Sequence, residues 1–146
     1  MAVWRKKLTG TDCRRALEIS QKMSQKLRES VAKFGEGDRH SLYLFDGTTL
    51  SEMELCFRQR SGSSFLREQK WRRFAEDRHL KAGDHIKMAS IDIAQLPQNL
   101  AAELPEGSVV WRITARRDGR RLQGFKLGNS EENDDQSSDN ELDEGA

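Results

Sequence analysis

Cysteine and proline are scarce in this sequence, which has two of each among 146 residues. Cys13 and Cys56 form neither a C-x-x-C pair nor a Cys/His cluster, which argues against a disulfide scaffold or a zinc module. Two free thiols fit a reducing compartment, cytosol or nucleus, and a place in or beside the core. No apolar run approaches the roughly 20 residues a membrane helix needs. The opening, MAVWRKKLTG, is basic without a following apolar stretch, so no secretory signal is expected. The three histidines, His40, His79 and His85, lack metal-ligand spacing. Glycine-rich phosphate loops, G-x-S-x-G and H-E-x-x-H are absent, and no carboxylate pair sits in an apolar setting. We expect no metal, no cofactor and no catalysis.

What is abundant is charge, at 34% of residues, and it is segregated. Residues 127–146 hold eight acids and no Lys or Arg: Glu131, Glu132, Asp134, Asp135, Asp139, Glu141, Asp143 and Glu144. Residues 1–126 therefore set all 25 basic residues against the other 16 of the 24 acids, a net +9, although the whole chain is only +1. A basic body with an acidic tail is a layout found among nucleic-acid binders. The tail has one large apolar residue beyond Leu127, cannot offset its ordering entropy by burial, and is expected to be disordered. The chain thus divides into a domain, residues 1–126, and a tail, residues 127–146.

Short alternating segments dominate the domain. Residues 2–9 suit a first strand, and Thr9 to Asp12 a turn. Ile19, Met23, Leu27, Val31 and Phe34 recur at helical spacing behind Ser20, a candidate N-cap. Leu42 to Phe45 is an apolar run closed by Asp46-Gly47, a hairpin signal. Met53, Leu55 and Phe57 then alternate with polar neighbours, and Phe65-Leu66 can restart a strand. Arg67 to Arg78 carries Trp71, Phe74 and Ala75 on one face of a second helix. His85 to Met88 and Val109 to Ala115 read as strands. The segment 92–108, with both prolines, reads as a loop holding one short helical turn, and Leu122 to Leu127 can return along the strand before it. Six or seven short strands with two helices suggest a small barrel or sandwich. Trp4, Trp71, Phe74 and Trp111 are expected in the core.

Four stretches, in order, resemble the plant B3 DNA-binding domain. They are the opening Val3-Trp-Arg-Lys-Lys-Leu-Thr-Gly-Thr-Asp12, and Leu17-Glu-Ile-Ser20 leading into a helix. Then come Leu42 to Phe45 with Asp46-Gly47 and the Met53/Leu55/Phe57 strand. Last is Trp71-Arg-Arg-Phe74 followed by Leu80-Lys-Ala-Gly-Asp84 and His85-Ile-Lys-Met88. The resemblance covers about residues 3–116. It implies a mainly β, seven-stranded open pseudo-barrel with two short α-helices. It also implies sequence-specific binding of double-stranded DNA by a plant nuclear transcription regulator, with two arms entering the major groove. Ser20 stands where that family has Pro, Lys70 where it has Gly, and the stretch between Asp12 and Leu17 is about two residues short.

The residues themselves point to the same two arms. Lys6, Lys7, Arg14 and Arg15, continued by Gln21 and Lys22, supply cations and a carboxamide after the first strand. Such cations neutralise phosphates and release counterions. Arg58, Gln59, Arg60, Ser61, Ser63 and Ser64 form the second arm. Guanidinium and carboxamide groups read base edges, hydroxyls bond phosphates, and Gly62 allows close backbone approach. Arg116, Arg117, Arg120 and Arg121, around Asp118-Gly119, are a weaker basic cluster, suited to phosphate contact or nuclear import. Double-stranded DNA is the expected partner, in the nucleus, with neither a membrane nor a small-molecule substrate. The acidic tail is a candidate contact for protein partners and a competitor of DNA for the arms. The other reading is a non-catalytic protein-interaction module on a B3-like barrel that has lost its DNA contacts.

Overall fold

The computed structural model describes residues 3–30, 39–122 and 142–143. One sheet organises them. Its strands are β1 (Val3–Lys7), β2 (Leu17–Ile19), β3 (Arg39–Phe45), β4 (Leu50–Phe57), β5 (Ser64–Leu66), β6 (His85–Ile91), β7 (Val110–Arg117), and the two-residue pieces β8 (Arg120–Arg121) and β9 (Leu142–Asp143). The order across the sheet is β2-β5-β4-β3-β7-β6-β1-β9, with β8 beside β7. The seven principal strands curl into an open half-barrel. The pairings are antiparallel except β3 with β7 and β1 with β9.

Alternation decides which side of each strand is buried. In β4, Met53, Leu55 and Phe57 turn inward. Trp4 of β1 meets Trp111 of β7 edge to face, with ring centroids 6.4 Å apart. Leu42, Leu44, Ile86, Met88 and Ile113 complete this interior.

Two ten-residue helices close the ends. In α2 (Gln21–Ser30), Ser20 Oγ accepts the Met23 N–H at 3.2 Å, and Met23 and Leu27 are fully buried. Val31 and Phe34, expected on the same helix, lie outside the described residues. In α3 (Glu68–Asp77), Trp71, Phe74 and Ala75 form the buried face, and Trp71 stacks on Phe74.

Two segments depart from the sequence expectation. Thr9 to Asp12 is not a plain turn but the start of a single-turn helix, α1 (Gly10–Arg14). Thr9 Oγ1 accepts the Asp12 N–H, while Asp12 Oδ2 accepts the Thr9 N–H. This reciprocal cap satisfies two otherwise orphaned donors. The 92–108 segment holds a 3-10 turn (Ile93–Gln95) and a one-turn helix, α4 (Gln98–Ala101). It covers a second, smaller apolar cluster of Phe45, Leu96 and Val110. Leu122 donates its N–H to Ala115, and the rest of the expected return strand, residues 123–127, lies outside the described residues. So does the tail, apart from β9.

Among the described residues β1 and β2 share no ladder. Lys6 spans the opening. Its ammonium donates to Asp12 Oδ1 at 3.1 Å and to the Glu18 carbonyl at 2.5 Å. Just past the same end of β1, the Leu80-Lys-Ala-Gly-Asp84 turn docks through Gly83 N–H to the Leu8 carbonyl and Leu8 N–H to the Asp84 carbonyl, both 2.8 Å. Gly83 takes a φ of +95° there, a conformation open to glycine and strained for other residues.

Candidate nucleic-acid interface

The β2–β5 ladder brings the two candidate arms together. Its register pairs Leu17 with Leu66, Glu18 with Phe65, and Ile19 with Ser64. The β4–β5 loop therefore emerges beside the start of α2. Gly62 faces the Gln21 side chain so closely that a Cβ on the glycine would lie 3.3 Å from Gln21 Cγ. A buried hydrogen bond between Ser24 Oγ and Ser64 Oγ, 2.7 Å long, fastens the helix to β5 just below.

A second tie lies on the outside. Arg58 grips Glu18 with both nitrogens, Nη1 to Oε1 at 2.7 Å and Nη2 to Oε2 at 2.9 Å. Its guanidinium also lies 4.4 Å over the Phe65 ring and donates to Ser63 Oγ. The Glu18 hydrogen bond raises the already high Arg58 pKa further. Within the loop, Arg58 N–H bonds the Ser63 carbonyl and Gly62 N–H bonds the Arg58 carbonyl. Ser61 and Ser63 hydroxyls pair at 2.7 Å. The loop is thus a tight, internally bonded turn.

The first arm is fixed from below. Asp12, 1% exposed, accepts from Lys6, from the Thr9 N–H and from the Glu18 N–H. Its own carbonyl accepts the Trp71 Nε1–H at 2.7 Å. α1 is therefore hung from the core by one carboxylate and one carbonyl. Cys13, within α1, is half-buried. Burial, with help from Asp12 and Asp84, pushes its thiol pKa up and keeps the thiolate scarce at neutral pH. Burial, then Glu54, does the same for Cys56.

The structure sorts the expected contact residues into three groups. Lys7, Arg14, Arg15, Gln21, Lys22, Gln59, Arg60 and Ser61 are exposed. Among the described residues no carboxylate pairs with Lys7, Arg14, Arg15, Lys22 or Arg60. Arg58 and Ser63 are half-buried and engaged with Glu18 and with each other. Lys6 and Ser64 are interior, at 9% and 0% exposure. Expected as ligand contacts, these two instead hold the barrel opening and the α2–β5 junction. The reason is periodicity: Lys6 falls on the inward side of β1 with Trp4, and Ser64 is the first residue of β5.

Sequence reasoning passed over Glu18 and Ser24, and read Asp12 only as bonding nearby backbone in a turn; all three position the arms. For Asp12 a signal existed, since Thr9-x-x-Asp12 has capping-box spacing. Glu18 and Ser24 act on partners 40 residues away, and local pattern carries no trace of that. In the Arg116–Arg121 cluster, Arg117 is held by Asp84 at 2.7 and 2.8 Å and by the His79 carbonyl. Among the described residues no three His, Cys, Asp or Glu side chains gather as a metal site, and no helix is long and apolar enough to cross a membrane.

No family model matches this chain, and no curated protein matches it. A solved structure, that of the hypothetical Arabidopsis thaliana protein At1g16640.1, is similar in fold. The TM-score is 0.51 at 13% identity, over 82% of this chain and 93% of the other.

Proposed function

We propose that this chain is a sequence-specific reader of double-stranded DNA of the B3 type, acting as a nuclear transcription regulator without catalytic activity. One observation carries the proposal. Five exposed cations from two separated sequence segments, Lys7, Arg14, Arg15, Lys22 and Arg60, have no carboxylate partner among the described residues, and the β2–β5 ladder sets the loop of Arg60 beside the segment that carries Arg14, Arg15 and Lys22. Free cations displaced onto phosphates release condensed counterions, so each adds affinity that falls with salt. Gln21, Gln59 and Arg60 supply the donor and acceptor edges that base reading requires. Lys6 and Ser64 are left out of the contact set because they are interior. Arg58 and Ser63 are assigned to shaping the second arm.

Selection of sites from random duplex DNA with the purified chain, at several salt concentrations, tests this. An enriched motif and an affinity falling about as the fourth or fifth power of salt are expected for roughly five phosphate contacts. No enriched motif, or affinity indifferent to salt, overturns it. The protein-interaction reading draws on the Arg58–Glu18 pair, which occupies one of the two guanidinium groups of the second arm. One stoichiometric protein partner, with no DNA retained at low salt, would favour that reading instead.

A further inference from the structure

The second arm carries three serines in unlike surroundings. Ser64 is buried against Ser24. Ser63 is half-buried, and its hydroxyl accepts from Arg58 Nη1 at 3.1 Å. Ser61 is exposed at the tip of the turn. Its Oγ accepts the Ser63 N–H at 3.2 Å and pairs with Ser63 Oγ at 2.7 Å. A continuous polar chain thus runs from Ser61 through Ser63 and Arg58 to Glu18. Arg60, the residue before Ser61, is exposed and has no carboxylate partner among the described residues.

The same residues form a substrate pattern. Arg58 and Arg60 precede the Ser61 hydroxyl at alternate positions. Kinases with carboxylate-lined peptide clefts select serines preceded by guanidinium groups, through charge complementarity. Lys6-Lys7-Leu8-Thr9 is a comparable stretch, but the fold withdraws it. Lys6 is 9% exposed and bound to Asp12, Thr9 Oγ1 caps α1 by accepting the Asp12 N–H, and β1 is held in the β6 ladder. The tip of the second arm belongs to no ladder. Two backbone bonds close it, Gly62 N–H to the Arg58 carbonyl and Arg58 N–H to the Ser63 carbonyl. Opening such a tip to a kinase cleft costs far less than unzipping a strand.

We propose that Ser61 is a phosphorylation site that switches the second arm off, with Arg58, Arg60 and the N–H and hydroxyl of Ser63 as the cradle of the phosphoryl group. Ser61 Oγ attacks the γ-phosphorus of ATP. The new O–P bond replaces the bond to ADP, which leaves, and the hydroxyl proton passes to the kinase's catalytic carboxylate. The product carries a charge of about −1.5 to −2 and three strong acceptor oxygens. It lies beside Arg60 and, across Ser63, within the reach of Arg58, where it competes with Glu18. It therefore neutralises the arm's cations and repels nucleic-acid phosphates. The site stands on the loop itself; its effect on binding rests on the DNA reading proposed above.

The test uses the full chain, ATP and several arginine-directed serine kinases of different families. Mass spectrometry should place a single phosphate on Ser61. Uptake should be lost in Ser61→Ala and slowed when Arg58→Gln and Arg60→Gln are combined. By phosphorus NMR the second pKa of the bound phosphate should lie below its usual value of about 6, because guanidinium groups favour the dianion. Arg60→Gln should return it toward about 6. At about 50 mM salt, phosphorylation should weaken duplex binding by at least about tenfold, with a salt dependence shallower by about one counterion. No phosphate on Ser61 from any of the kinases, or a phosphate with an unshifted pKa, would overturn the proposal. So would a phosphorylated chain that binds duplex as tightly as the unmodified one. A chain that takes up and holds the phosphate but binds no duplex in either form would support the site and overturn the DNA reading instead.

Discussion

Arg58 and Glu18, 40 residues apart in sequence, form a two-pronged ion pair that binds the β4–β5 loop to the strand after the first arm. Both side chains are about 40% exposed, so the pair itself adds little to global stability. Its effect is geometric: it fixes which way the loop leaves the barrel. Arg58→Ala should change stability by less than about 1 kcal/mol. It should weaken DNA binding severalfold while leaving the preferred motif intact. Arg60→Ala should instead relax one base preference, at about 1–3 kcal/mol. Site selection with each variant separates the two. An altered motif for Arg58→Ala would contradict its positioning role.

Lys6 and Lys7 are neighbours with opposite duties. Lys6→Ala strands the buried Asp12 carboxylate and unties the barrel opening, so a loss of about 3 kcal/mol is expected in chemical denaturation. Lys7→Ala should stay within about 0.5 kcal/mol of the parent. Binding to all duplexes should weaken alike, with a shallower salt dependence. Equal stability of the two variants would refute this division.

Gly62 has a φ of +75° and faces Gln21. Gly62→Ala adds backbone strain and a Cβ that Gln21 must yield to. A loss of about 1 kcal/mol or more is expected, together with weaker binding, because both arms shift at once. A thermal melt and a single affinity measurement suffice to check it.

Acid should loosen the fold through two carboxylates. At Asp46 burial acts to raise the pKa, but the Thr49 N–H, the Arg78 guanidinium and the Thr48 N–H outweigh it and hold it low. At Asp84 burial is likewise outweighed, by Arg117 and the Lys81 N–H. Carboxylates with folded values below their unfolded ones stabilise the fold above the unfolded pKa, about 4, and lose that contribution as pH drops through the folded value. Denaturation midpoints should therefore fall below about pH 4. Asp84→Asn should flatten the profile, and a profile as steep as the parent's would sink the assignment.

Much of the fold was legible locally. Period-two runs at Met53–Phe57 and His85–Met88 and the helical face of Trp71, Phe74 and Ala75 mark elements whose burial follows from spacing alone. Nearest-neighbour pattern also brought out the charged loops. It could not show which cations are free, because that depends on cross-barrel partners such as Asp12 for Lys6 and Glu18 for Arg58. The 92–108 segment hid its role for a related reason. Its apolar residues, Ile93, Leu96, Leu100 and Leu104, follow no single period and become a cluster only against Phe45 and Val110.

The bond from the Trp71 indole to the Asp12 carbonyl makes the interior a witness to events at the rim. An indole's emission colour depends on what its N–H donates to, and this acceptor belongs to the backbone of α1 itself. Pressure of a bound molecule on that short turn would be transmitted to a chromophore lying at full depth. A ligand seated on the arms would therefore register in the emission of one of the three buried indoles, with no dye attached.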